Sequence, residues 1–275
     1  MTLLEDDPLA GSDLYGYSPL LSARNAWLFA RVWMGHFGEA ERELRHAREV
    51  AKAHKQFDVL CWLETATVFL ARFGGNVAAP LAHARRAVEL ADKINPFSRV
   101  IVSWGLGMAH GLAGDWPSSL TALEDAVATA RDRRIVLILE PTFLAYLAES
   151  YFHAGDLQRA RTGAEEALAL AQQRETPTQE IDAQVTLARL RRTEGLRARR
   201  AIETALERAM MLIRDTGARG FEPHVYLERG ELARLIGDEV ARQHQFREAH
   251  RLFLEIGAPI RAAEVAKELG LVTPS

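Results

Sequence analysis

The sequence contains a single cysteine, Cys61, among 275 residues. No disulfide framework and no cysteine-based zinc site can be built within one such chain. A lone thiol also suits a reducing compartment. Long apolar runs are missing too: the stretch from Ile135 to Leu139 stops at Glu140 and Pro141, far short of a membrane span. The first twenty residues carry Glu5, Asp6 and Asp7 and no basic segment, unlike a secretory signal. A cytoplasmic protein with no membrane partner is expected. The charge balance is nearly even, at −3. No global field draws such a chain to nucleic acid, and no nucleic-acid partner is expected.

Catalytic signatures are equally scarce. There is no GxxxxGK[ST] phosphate loop, no HExxH zinc motif and no GxSxG nucleophile elbow. The nine histidines include no pair at the i,i+4 spacing of a helical metal site. Gly105-Leu106-Gly107 resembles the start of a dinucleotide fingerprint, but its spacing is wrong and no strand precedes it. Gly107 reads instead as a small residue needed for close helix packing. The expectation is therefore no enzyme, with no catalytic residues, metal or cofactor.

What is present is a ladder of glycines. Gly35, Gly75, Gly114, Gly155, Gly195 and Gly237 recur at intervals of 40, 39, 41, 40 and 42 residues. Each lies between two stretches of helical periodicity, where a turn needs positive φ. Pro19, Pro96, Pro141, Pro177 and Pro223 stand 14 to 18 residues ahead of one of these glycines. Proline is tolerated in the first turn of a helix and breaks it elsewhere. Each proline thus opens a first helix, and each glycine closes it. Pro80 and Pro117 open second helices, and Pro259 opens a last helix ending near Gly270. After their glycines, the second helices place Ala40, Leu44 and Ala47, or Ala160, Ala164 and Ala167, on one face. No segment shows the two-residue alternation of hairpin strands.

This pattern predicts an all-α, right-handed superhelical solenoid of tetratricopeptide type. It would have about six helix pairs and a C-terminal capping helix, Pro259 to Leu269. Residues 18–275 form one repeat domain in this reading, and residues 1–17 a linker or frayed lead-in. The fifth repeat is irregular, and a longer turn is expected around Leu196 to Arg200. Six arginines crowd Arg189 to Arg200 with only Glu194 between them. They could dock an acidic partner or simply coat a solvated turn.

With the repeats placed, a family resemblance emerges. It is carried by Leu14-Tyr15-Gly16-Tyr17-Ser18-Pro19, Ala82-His83-Ala84-Arg85-Arg86-Ala87-Val88, and Thr216-Gly217-Ala218-Arg219 with Phe221-Glu222-Pro223. Its strongest segment runs from Glu231-Leu232-Ala233-Arg234-Leu235-Ile236-Gly237-Asp238 to Arg247-Glu248-Ala249-His250-Arg251-Leu252-Phe253. The chain resembles the C-terminal tetratricopeptide region of bacterial signalling proteins that join a class III adenylate/guanylate cyclase domain to an ATPase domain. Related tails occur in ATPase-type transcription regulators. The cyclase and ATPase domains have no counterpart here, so the chain would be a fragment or a stand-alone relative. The resemblance implies a regulatory or interaction module.

In this architecture the first helices line the concave face. Aligning the repeats on their glycines places Phe29 and Trp33 of the first repeat on that face, then Trp62, Phe69, Arg72 and Phe73 of the second. The third contributes Trp104 and Met108, and the fourth Glu149, Phe152 and His153. The fifth and sixth change character, to Asp182, Arg189 and Arg192, then His224, Glu231 and Arg234. The first reading is an aromatic groove with Trp33, Trp62 and Trp104 as anchors and with Arg72 and Glu149 setting polarity. The second is that these side chains close the superhelix on itself or fill its core. On the first, the partner is a protein or peptide, or else a small molecule held between the tryptophans. The sequence leaves the oligomeric state open.

Overall fold

The structure is a computed structural model describing residues 7–75, 79–91 and 95–271. Residues 1–6 of the expected lead-in lie outside the described residues. The described residues are helical throughout, with no strand. After a single turn, α1 (Ser12–Tyr15), the helices come in pairs. They are α2 (Pro19–Trp33) and α3 (Phe37–Ala53), α4 (Phe57–Gly74) and α5 (Pro80–Ala91), and α6 (Pro96–Leu112) and α7 (Trp116–Arg133). Then come α8 (Glu140–His153) and α9 (Leu157–Gln173), α10 (Pro177–Arg191) and α11 (Arg199–Thr216), and α12 (Glu222–Ile236) and α13 (Glu239–Glu255). The last helix is α14 (Pro259–Glu268).

Local chemistry fixes the joints inside the pairs. All six ladder glycines have positive φ, from 72° at Gly195 to 87° at Gly155. In three repeats an aspartate follows at once. Asp115, Asp156 and Asp238 accept hydrogen bonds from the backbone N–H of Ser118, Arg159 and Ala241. Glycine lets the chain leave one helix, and the aspartate carboxylate caps an orphan donor of the next. Each such cap is worth about 1 kcal/mol. The fifth repeat departs from this plan. A 3₁₀ run, Arg192–Ala198, bridges α10 and α11, with Gly195 at φ 72° and ψ −156° inside it.

The second helices carry the predicted stripe of small residues. Ala160, Ala164, Ala167 and Ala171 of α9 are completely buried, as are Ala47 and Ala51 of α3. Small side chains there let α9 seat against both α8 and α10. Larger residues would hold the backbones apart.

The chain divides into two compact units. One comprises the residues up to Val32 together with His36–Val136; the other comprises Trp33–Gly35 and the chain from Leu137 onward. The division falls on the link after α7, where Arg134 and Val136 both take positive φ. Within the first unit α4 packs on α3, α5 and α6. Within the second, α10 packs on α8, α9, α11 and α12.

Buried glutamates on first helices recur as staples to the second helix of their own pair and, at Glu64 and Glu180, to the preceding pair as well. In the first unit Glu64 of α4 meets Arg48 of α3 and both His83 and Arg86 of α5. In the second, Glu180 of α10 accepts from Arg208 of α11 at 2.8 and 3.2 Å and from Gln172 of α9 at 3.3 Å. Glu140 of α8 is held by Arg174 at 2.7 Å. A carboxylate in such a place needs its partners, because unpaired it would ionise only at great cost.

Candidate binding site

The residues expected to line an aromatic groove have three different fates. Trp62, Phe69, Phe73, Trp104 and Met108 are buried, none more than 5 % exposed. Trp62 and Trp104 are therefore not exposed anchors, and Phe69, Phe73 and Met108 do not line an open groove: all five fill the core, the second of the two readings. The reason lies in how first helices meet. Phe29 of α2 and Phe69 of α4 lie 4.7 Å apart between ring centroids, and Trp104 of α6 sits 6.0 Å from Phe29 and 5.9 Å from Phe69. Phe73 adds to the cluster, 5.0 Å from Phe69. Flanks of consecutive first helices face each other, so the positions that read as groove are consumed by the neighbouring repeat. Aromatic rings packed this way bury a large apolar area and gain from tilted and edge contacts.

Trp62 is a separate case. Its indole N–H donates to the Ser98 hydroxyl at 3.0 Å, and Ser98 in turn donates to Asp58 at 3.1 Å. Its ring meets Tyr17 edge-on at 5.0 Å and Phe97 at 5.6 Å. Phe29, Trp33 and Arg72 are half-buried.

In the second unit the expected polar positions come together. Arg189 of α10 donates to Glu149 of α8 and to Glu228 of α12, both at 2.8 Å. Arg192, one turn on, approaches Glu228 at 3.1 Å and donates to Glu231 at 2.9 Å. Arg234 then reaches Glu231 at 3.4 Å and Glu268 of α14 at 2.8 Å. Charges of alternating sign thus run across the first helices of successive repeats. Burial disfavours the charged form of Arg189, but Glu228 and Glu149 outweigh that and raise its pKa. Phe152 and His153 stand beside this ladder at the end of α8, the rings 5.1 Å apart, Phe152 half-buried and His153 exposed.

Sequence alignment reached Glu149, Arg189, Arg192, Glu231 and Arg234, but missed Glu228. The three-residue spacing of Glu228, Glu231 and Arg234 was the available signal. The arginine cluster resolves as paired structure: Arg191 donates to the Ala201 carbonyl, Arg197 pairs with Glu194, and Arg199 with Glu203.

The first unit holds a pocket of about 660 Å³ that the sequence did not reveal. It lies where α1, the α3–α4 turn, the end of α5 and the start of α6 converge. Tyr15, Gly16, Tyr17, Lys55, Gln56, Phe57, Asp58, Glu89, Leu90 and Asn95 line it. Tyr15 and Tyr17 were read as part of a lead-in, so nothing marked them as walls. Backbone contacts fix them: the Ser18 N–H donates to Gln56 at 2.7 Å, and its hydroxyl to the Pro8 carbonyl at 2.5 Å.

No protein-family model matches the chain, and no curated protein does. Solved structures do. The apo form of the quorum sensor NprR from B. thuringiensis aligns with a TM-score of 0.55 at 14% identity, over 96% of this chain and 73% of that one. The apo form of RapI aligns with 0.55 at 9% identity, over 90% and 96%. BtubC from P. vanneervenii gives 0.54 at 16% identity, over 81% and 91%. The chain has a tetratricopeptide-like helical repeat fold. At these identities the likeness is one of fold. Among the described residues no helix is long and apolar enough to cross a membrane, and no cluster of three metal-ligating side chains occurs.

Proposed function

We propose that this chain is a non-catalytic regulatory module whose second unit binds an extended peptide or protein segment. The observation that carries the reading is the charge ladder from Glu149 through Arg189, Glu228 and Arg192 to Glu231. It lies on first helices and, at Arg192, on the turn that follows α10, positions that the repeat alignment assigned to the concave face. Arginines already held by two carboxylates are fixed in orientation before any ligand arrives, which lowers the entropy cost of binding. Glu149, Phe152 and His153 are the proposed contacts beside it.

The fold likeness supports this reading. NprR has also been solved in complex with its cognate peptide NprX, and that structure aligns with a TM-score of 0.54 at 15% identity. The finer part of the proposal, a place in bacterial signalling beside an attached or partner cyclase, ATPase or transcription regulator, rests on the sequence resemblance. Selection of a displayed random peptide library against the full chain tests the binding role. Peptides should enrich, and charge reversal at Glu149 or removal of the Phe152 ring should weaken them at least tenfold with the helical circular dichroism unchanged. Enriched peptides indifferent to both substitutions, or no enrichment at all, would overturn it.

A further inference from the structure

The geometry points to a second site in the first unit: we propose that the Tyr15–Phe57 pocket binds an alkylated ammonium group. It stands apart from the peptide reading and does not depend on it.

Three of the lining residues are aromatic. Tyr15 and Tyr17 lie 6.3 Å apart between centroids, and the buried Trp62 backs Tyr17 edge-on at 5.0 Å. Phe57 is the third ring on the pocket. Tyr15 is 64 % exposed and Phe57 52 % exposed. Both rings are open to a guest in the concavity. The volume of about 660 Å³ lies within the range of small-ligand sites.

The polar lining is engaged internally. Gln56 accepts from the Ser18 N–H, and Asn95 donates to Asp58 and accepts from the Ser98 N–H. Asp58 Oδ1 accepts from both Asn95 and Ser98. What the pocket offers a guest is therefore ring faces and electrostatic field, with few hydrogen bonds. Among the described lining residues two carboxylates, Asp58 and Glu89, stand against one cation, Lys55, and neither carboxylate makes an ion pair with a described residue. A cation that needs no hydrogen bonds and prefers ring faces is an alkylated ammonium, and aromatic cages are its usual receptors. Lys55 is the opposing charge, and its removal should strengthen binding.

Calorimetric titration of the full chain with choline, and with its neutral isostere 3,3-dimethylbutan-1-ol, tests the site. Choline should bind about tenfold more tightly than the alcohol. Glu89→Gln, Tyr15→Ala and Phe57→Ala should each weaken choline about two- to fivefold, and Lys55→Gln should tighten it. All four side chains are exposed, and an unfolded variant cannot gain affinity, so the opposed signs separate binding from folding. A short peptide bearing trimethyllysine is the second arm. Tighter binding than choline assigns the group to a peptide side chain, and weaker binding assigns it to a free small molecule. Equal binding of choline and the alcohol, no binding of choline or peptide at millimolar concentration, or reversed signs at Lys55 and Glu89 would overturn the proposal.

Discussion

Arg189 sits between two carboxylates from different repeats, 2.8 Å from Glu149 and 2.8 Å from Glu228. The Glu228 side chain is only 5 % exposed, and this guanidinium and that of Arg192 are its ion-pair partners. One side chain thereby ties α8, α10 and α12 together across three repeats.

Arg189→Met should cost about 3 kcal/mol in urea unfolding, because it leaves a buried carboxylate short of a partner. The double variant Arg189→Met with Glu228→Gln should recover much of that loss. A double variant no more stable than the single would show that the arginine acts through its apolar stem.

Acid should act through Glu180. Burial alone would raise its pKa, but hydrogen bonds from Arg208 and Gln172 more than offset this and lower it. A carboxylate depressed in the folded state contributes stability that is fully present above the unfolded value, about 4.3. That contribution is lost as pH falls through the folded value. The unfolding midpoint should drop below about pH 4.3, and Glu180→Gln should be less stable at neutral pH with a flatter acid limb.

Cys61 should be inert in the folded protein. Burial pushes its thiol up to about 12, and its sulfur lies 3.0 Å from the Asp58 carbonyl. Thiolate is the reactive form, so a disulfide reagent at pH 8 should label the native chain far more slowly than the chain in guanidinium. Equal rates in both conditions would contradict the burial.

Two helical glycines should respond to alanine with opposite signs. A Cβ on Gly107 would fall 2.5 Å from Leu123 Cγ and 3.2 Å from the Ser119 carbonyl oxygen, so Gly107→Ala should destabilise by about 1–3 kcal/mol. A Cβ on Gly163 would meet nothing nearer than 3.6 Å. There Gly163→Ala should gain roughly 0.5–1 kcal/mol from helix propensity. Thermal melts of the two variants check both signs.

Much of the fold was legible because its signals are local. Gly155 must leave a helix with positive φ, and Pro177 can only open a helix; neither needs a distant residue to be understood. The alanine stripe of α9 was legible for the same reason, since periodicity alone assigns its face. The pairing of Glu149 with Arg189 was half legible, because each side chain stood at the right repeat position but its partner lay 40 residues away.

The amino-acid order by itself therefore determined the helix pairs, their joints and their small-residue faces. Whether Phe69 and Trp104 would meet solvent or each other was decided only in three dimensions, because exposure depends on how closely the next repeat approaches. The same holds for the pocket. Tyr15, Phe57, Glu89 and Asn95 lie on four separate segments, and only the packing of α4 against α5 and α6, with the lead-in tied down through Ser18, gathers them into one cavity.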